Sequence, residues 1–502
     1  MTVLSFFLAS SIVALGTQAQ HVISRDAAPT PMPMPSHGDK CIRFPVFHST
    51  NKQVFGDMWE KRGIETIALA NRSDVAYYAR LDIGNPPQQN YVQLDTGSFE
   101  LWVNPDCTNL VTTSDQRFCQ AVGSYDPKKS KSSNVTQTTK TLRYGIGEAN
   151  IQYVTDDIAF QNSGNALKNV RFGFATATKD EFSGILGIGH GSGVNVGYKN
   201  FVDELQAQNV TATKAFSLAL GSKDEQEGMV MFGGLDTAKF AGNLATLPIV
   251  PAAKSPDGVA RYWVDMNYMS LTPPSGNMKK YSNTTMAVFL DSGATLTLLP
   301  TTLANSIAAD FGAQGVDANG FYAVDCALAR MPGTVDFAFP GVTIHVPYKE
   351  MIREIPTAFG ALCYLGISPN EDFVLLGDTM LRSAYAVFDQ TNNAIHLAQY
   401  TNCGTEDMEI FPDTNFTAIE GKCNAPSFKP AATTATPSTS ERPLLPTTMP
   451  TGTNRPTAAG PPSGSGSVTS AAATSAVRTT FGLCWLSICV LSTTVFSLAA
   501  LS

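Results

Sequence analysis

Charge is scarce in this chain of 502 residues, of which 15% are Asp, Glu, Lys or Arg. The balance is acidic, with a net charge of −8 at neutral pH. That is the wrong sign for neutralising phosphates, so no nucleic-acid partner is expected. Histidine is rarer still, and its six copies include no His-Glu-x-x-His pair, the spacing that seats a protease zinc on one helix face. No Cys-x-x-Cys occurs, which removes zinc-ribbon and thioredoxin readings. No Gly-x-Ser-x-Gly occurs either, the strained turn that presents a serine nucleophile. Helix-period apolar spacing is sparse. Phe201 and Leu205 suggest one short helix, and Leu303, Ile307 and Phe311 after Pro300 suggest another. Alternating stretches such as Tyr77-Tyr78-Ala79-Arg80-Leu81-Asp82-Ile83 read as half-buried strands, so the chain is expected to be mainly β.

What is present is a repeated acid. Val92 to Val103 reads Val-Gln-Leu-Asp-Thr-Gly-Ser-Phe-Glu-Leu-Trp-Val, a turn between two apolar runs. An acid between buried strands is costly to desolvate unless hydroxyls or amides hydrogen-bond it. Thr96, Gly97 and Ser98 supply both. A single Asp-Thr-Gly is ordinarily a structural turn. The same grammar returns at Val288 to Pro300, where Asp291, Ser292 and Gly293 interrupt an apolar run. Asp95 and Asp291 lie about one domain length apart, which suggests two related halves that each contribute a carboxylate.

Further segments repeat in the right order. Tyr144-Gly145-Ile146-Gly147 reads as a hairpin, and Phe182-Ser183-Gly184-Ile185-Leu186-Gly187 has a counterpart in Val374-Leu375-Leu376-Gly377-Asp378. Met231-Phe232-Gly233-Gly234-Leu235-Asp236 and Ala386-Val387-Phe388-Asp389 complete the set. From about Ala76 to Gln399 the chain resembles the pepsin-like aspartic proteases, in particular their fungal, lipid-anchored, yapsin-like branch. The resemblance implies a bilobal pepsin-like fold, two related six-stranded-type β lobes with the active site in the interlobe cleft. It implies Asp95 and Asp291 as a catalytic pair that shares one proton while activating water. Aspartic proteases are themselves the standard illustration of that principle. Thr96 and Ser292 would lock the two loops together, and Ser98 would donate to Asp95. Tyr144 and Gly145 would belong to a flap reaching toward Trp102, and Gly97 and Gly293 would admit the substrate backbone. No cofactor and no metal is required.

Two departures from the family pattern matter. Ala294 stands where a hydroxyl residue is usual, so Asp291 should lose a donor and its pKa should rise. Ala294→Thr is then expected to move the acidic limb of the activity profile to lower pH. Ile146 replaces the usual flap hydroxyl, which should weaken one hydrogen bond to substrate. Two rivals are a catalytically silent, pepsin-shaped wall-binding protein, which would typically lack one Asp, and a glycosidase, which needs more widely spaced acids.

The segments outside the match fit a secreted precursor. Residues 1–19 read as a signal peptide, since the apolar run is too short to span a bilayer and ends in small residues. Residues 20–62 read as a prosegment that ends in Lys61-Arg62, as a kexin-type processing protease would require. Its six basic and four acidic residues give it a net charge of +2 over an acidic enzyme. Residues 63–248 are expected to form the N-terminal lobe, and 249–425 the C-terminal lobe with an extension. Six of nine cysteines fall within them. The family resemblance implies Cys107–Cys119 and Cys326–Cys363, leaving Cys403 and Cys423. Asn71, Asn134, Asn209, Asn283 and Asn415 begin glycosylation sequons. Residues 426–476 read as a Ser/Thr/Pro-rich stalk. Residues 477–502 read as the discarded tail of a glycosylphosphatidylinositol signal, with attachment at Ser470 as first choice and Gly464-Ser465-Gly466 as second; the competing reading is a permanent transmembrane helix, which would usually be followed by Lys or Arg. The partners expected are protein or peptide substrates and, through the lipid, the plasma membrane, for a monomeric enzyme.

Overall fold

The computed structural model describes residues 40–49 and 76–428, apart from 105–106, 110–112, 146, 161–165, 180–182, 226, 319, 358–359 and 373. The signal peptide, Lys61-Arg62, Asn71, Ile146, Phe182, Ser470 and the apolar tail lie outside the described residues.

Asp95 terminates the strand Gln88–Asp95, whose Val92 and Leu94 are fully buried. That strand pairs in parallel with Gly184–Gly187, placing Asp95 beside Gly187. Leu101–Val103 then returns antiparallel on the other side of Gly184–Gly187. The second half repeats the arrangement. Met286–Leu290 pairs in parallel with Leu375–Leu376, and Thr297–Leu299 returns antiparallel against Leu375. The apolar-apolar-Gly segments are therefore the strands wedged between the two arms of each Asp loop. Burial on both faces explains why they read as continuous Ile and Leu rather than as an alternation.

The fold is mainly β and bilobal, and a shared sheet joins the lobes. Ala215–Ala219 from the first half pairs with Ala384–Asp389 from the second, and Phe240–Pro248 pairs with Ala394–Tyr400. Among the described residues this sheet has fourteen strands. The second half adds a five-stranded and a four-stranded sheet. One apolar core runs through both halves, from Leu94 and Leu186 to Leu290 and Leu376. Each such side chain contributes about 1.5–3 kcal/mol by leaving water.

Ile42–His48, within the segment expected to be a prosegment, is an interior strand. It lies between Glu227–Phe232 and Tyr77–Ile83. Ile42, Phe44 and Val46 join the core, and Arg43 pairs with Asp236 and Asp407. The amide of Ser49 donates to the carbonyl of Ala76 at 2.9 Å, so both ends of the intervening segment meet.

The two expected helices form as Phe201–Ala207 and Thr301–Asp310. Asn200 and Asp203 cap the first reciprocally. Thr113–Val122 is an additional helix that the sequence analysis does not anticipate, because Thr-Ser-Asp-Gln-Arg-Phe-Cys-Gln-Ala-Val has only a thin apolar stripe. Disulfides join Cys107 to Cys119, Cys326 to Cys363 and Cys403 to Cys423. Cys41 is buried.

Candidate active site

The two Asp loops face each other across the junction and are tied together symmetrically. Thr96 Oγ1 donates to the carbonyl of Leu290 at 2.8 Å, and Ser292 Oγ donates to that of Leu94 at 2.9 Å. The same hydroxyls accept from the opposite loop, Thr96 Oγ1 from the Ser292 amide at 2.9 Å and Ser292 Oγ from the Thr96 amide at 3.2 Å. All four bonds are buried. Such bonds are worth more in a dry interior, and losing one partner leaves the other unsatisfied.

This lock brings the carboxyl groups of Asp95 and Asp291 within hydrogen-bonding reach of each other. Asp95 Oδ1 accepts from the amide of Gly97 at 2.8 Å, and Asp291 Oδ1 accepts from that of Gly293 at 2.9 Å. Ser98 Oγ donates to Asp95 Oδ2. At the matching position after Asp291 stands Ala294, which has no hydroxyl to offer. Gly97 and Gly293 were expected to make room for substrate. In the structure each lacks a side chain because the other lobe's carboxylate is there: a Cβ on Gly97 would lie 2.6 Å from Asp291 Oδ1.

The asymmetry of donors sets where charge resides. Burial raises both carboxyls above the usual range, and Ser98 and Gly97 oppose this at Asp95. Burial and then the charge of Asp95 push Asp291 up to about 8. The donors on Asp95 favour its charged form, and burial beside Asp95 favours the protonated form of Asp291, which keeps a partly exposed edge.

Trp102 is fully buried and donates from Nε1 to the hydroxyl of Tyr144 at 2.7 Å. Tyr144 follows the strand Asn134–Arg143, and its amide closes the turn onto Gly147 at 2.8 Å. Gly145 at the tip is exposed, with open space around it. Leu142 and Tyr144 pack on the patch formed by Trp102, Ile151 and Ile185.

Asp378 was quoted above only as the end of a motif. It is buried, neither carboxyl oxygen has a hydrogen-bond partner, and its amide donates to the carbonyl of Ala294 at 2.8 Å. Burial holds its carboxyl well above the usual range, against the opposing pull of Arg382. Arg382 is itself engaged by Glu350 at 2.6 Å. Only the Asp type at the end of that motif could have signalled this group.

Among the described residues, no cluster of His, Cys, Asp or Glu could hold a metal ion. The side chains of Asn134, Asn209, Asn283 and Asn415 are exposed. A hollow of about 610 Å³, lined by residues that include Ser222, Glu225, Lys349, Glu350, Tyr400 and Phe428, contains neither Asp95 nor Asp291.

Comparison with known proteins returns one consistent picture. Residues 76–400 match the family model described as eukaryotic aspartyl protease. The probable aspartic-type endopeptidase opsB of Aspergillus oryzae is 33% identical over 368 residues, covering 70% of this chain and 74% of that protein. Secreted aspartic protease 3 of Candida albicans is 33% identical over 412 residues, covering 78% and 96%. Among solved structures, the aspartic proteinase of Irpex lacteus aligns with a TM-score of 0.52 at 21% identity, covering 72% of this chain and 98% of that one.

Proposed function

Since the chain belongs to the eukaryotic aspartyl protease family and is an aspartic-type endopeptidase, we propose that Asp95 and Asp291 are its catalytic pair. The observation that carries this reading is the reciprocal Thr96/Ser292 lock, which has no purpose in a turn and holds two acids at one point. The Asp95 carboxylate accepts a proton from the attacking water. The Asp291 carboxylic acid donates its proton to the peptide carbonyl oxygen as the tetrahedral intermediate forms. As that intermediate collapses, the leaving amine takes the proton that Asp95 received, and one hydroxyl of the gem-diol returns a proton to Asp291, releasing the carboxylic acid and restoring the pair. Tyr144, held by Trp102, closes over the substrate and excludes water.

The chain is further read as a secreted precursor delivered to the outer face of the plasma membrane or cell wall. Residues 1–19 direct export, processing at Lys61-Arg62 frees the enzyme, and a glycosylphosphatidylinositol lipid joined at Ser470 anchors it. The exposed sequons and the secreted relatives support this reading.

Hydrolysis of a peptide library with and without a statine-type inhibitor, on wild type and on Asp95→Asn and Asp291→Asn, tests the chemistry. The expected loss for either variant is about 1,000-fold or more, in the range for groups that act as a unit. Full proteolysis by Asp95→Asn would sink the assignment. Release of the protein from cells by a phosphatidylinositol-specific phospholipase tests the anchor. Retention after complete digestion, with a known lipid-anchored protein released alongside, would reject it.

A further inference from the structure

Arg261 reaches the Asp95 loop from the opposite lobe. It precedes the strand Trp263–Met266 of the second half, yet its Nη1 donates to the carbonyl of Gly97. Its Nε donates to Asp257 Oδ2 at 2.7 Å. Asp257 is itself fixed, because its Oδ1 accepts from the Val259 amide at 3.1 Å and from Trp263 Nε1 at 3.1 Å. The guanidinium lies 5.3 Å from the ring centre of Phe99 and 5.5 Å from that of Phe289. Phe99 follows the Asp95 turn, and Phe289 precedes Asp291 by two residues. The side chain is only 26% exposed. Two hydrogen bonds and two aromatic rings therefore hold one cation between the two Asp loops.

The peptide that Arg261 grips is not an arbitrary one. The amide of Gly97 donates to Asp95 Oδ1. Fixing the carbonyl of the same residue fixes the geometry around the ionised acid. A planar guanidinium can hold Asp257 and Gly97 at once, whereas an ammonium is a point charge. The charged groups around the cation are Asp257 on its own segment, Asp95 on the first loop and Asp291 on the second. Asp378 also feels the charge of both acids; burial raises its carboxyl, and the charge of Arg382 opposes that rise. The favourable Arg261 charge bears on both Asp95 and Asp291.

We propose that Arg261 is a positioning residue for the reaction: from the opposite lobe it clamps the Gly97 peptide, and with it the Asp95 carboxylate, and sets a fixed positive charge beside the acid pair. This rests on the reading of Asp95 and Asp291 as the catalytic pair. An ordinary exposed pair four residues apart, Arg261 with Asp257, would contribute little and leave the pH profile alone.

The test is the pH dependence of peptide hydrolysis by the full-length protein, wild type against three variants, with near-ultraviolet circular dichroism as the check on folding. Arg261→Gln is expected to move the acidic limb up by ~0.5–1 pH unit, since a favourable charge near the carboxylate is lost. Its kcat on the plateau should fall ~10-fold, with KM changed less, as expected for misplacement of a reacting group. Arg261→Lys should keep the limb near its wild-type position but lose a similar factor in kcat. Asp257→Asn should move the limb the other way, because the cation is then less neutralised. A folded Arg261→Gln with an unmoved limb overturns the proposal. Should that variant not fold, an unmoved limb in Asp257→Asn overturns it instead. Asp95→Asn is the control. If it retains activity, the acid-pair reading fails and this inference with it. If it is inactive while Arg261→Gln keeps the wild-type limb, this inference alone fails.

Discussion

Ser98 gives its hydroxyl hydrogen to Asp95, whereas Ala294, at the matching position after Asp291, has no hydroxyl to give. The difference favours charge on Asp95 and the proton on Asp291. It also relocates one expectation. From sequence alone, Ala294→Thr was expected to act on the acidic limb. Since Asp291 holds the proton, an added hydroxyl donor there stabilises mainly the doubly ionised state. The alkaline limb should therefore fall by about half to one pH unit, with a smaller movement of the acidic limb. Rate profiles of kcat/KM for the two proteins check this, and coincident profiles would count against the assignment of the proton.

The same burial makes folding stability depend on pH. Asp291 is raised from its ordinary 3.8 to about 8, so between those values the native state binds a proton that the unfolded state has released. Its contribution is fully present below the unfolded value and is lost as pH rises toward the folded one. The slope approaches ~1.4 kcal/mol per pH unit for one whole proton, and less for a group with a partly exposed edge. Urea unfolding at pH 4, 6 and 8 should show falling stability, and Asp291→Asn should flatten the trend.

Thr96 and Ser292 each donate to one carbonyl and accept from one amide. Thr96→Ala and Ser292→Ala should each destabilise by about 1–3 kcal/mol, because buried partners are stranded. The double variant should cost clearly less than both added together, since the bonds share one junction. Strict additivity in denaturant unfolding would show that the loops are not coupled.

Tyr144→Phe removes one oxygen and strands the indole N–H of Trp102. The expected result is a loss of ~10-fold in kcat/KM with thermal stability changed by little, because the hairpin tip carries few core contacts. An unaltered kcat/KM on a long peptide substrate would remove Tyr144 from the proposed machinery.

Phe44 packs edge-on against Phe160 and Phe232, at 5.6 and 5.8 Å between ring centres. Phe44→Ala should destabilise the uncleaved chain by about 3–5 kcal/mol. The same change should leave the processed enzyme alone if residues before Lys61-Arg62 have departed. Thermal melts of both forms separate the cases.

Much of this was legible because two loops repeat one grammar. Hydroxyls and glycines beside a buried acid are chemically costly to place by chance, and the Ile-Leu wedges betray strands buried on both faces. Other features left no local trace. Arg261 lies far from Gly97 along the chain, so nothing near either residue predicts their contact. Asp378 sits in a motif whose apolar part is explained by packing, and only the fold brings its amide to the carbonyl of Ala294. Thr113–Val122 escaped because its apolar stripe is thin, and the Cys107–Cys119 disulfide anchors it. The strand Ile42–His48 was masked by Pro45 and by its basic surroundings, although Ile42, Phe44 and Val46 alternate correctly.

That strand has a topological consequence. Its hydrogen-bonded neighbours, Glu227–Phe232 and Tyr77–Ile83, come from the body of the enzyme. Scission anywhere between Ser49 and Ala76 would turn an intrachain ladder into a bimolecular complex. Occupancy of the slot would then obey mass action, with a dissociation constant, an off-rate and competition from any other segment able to enter.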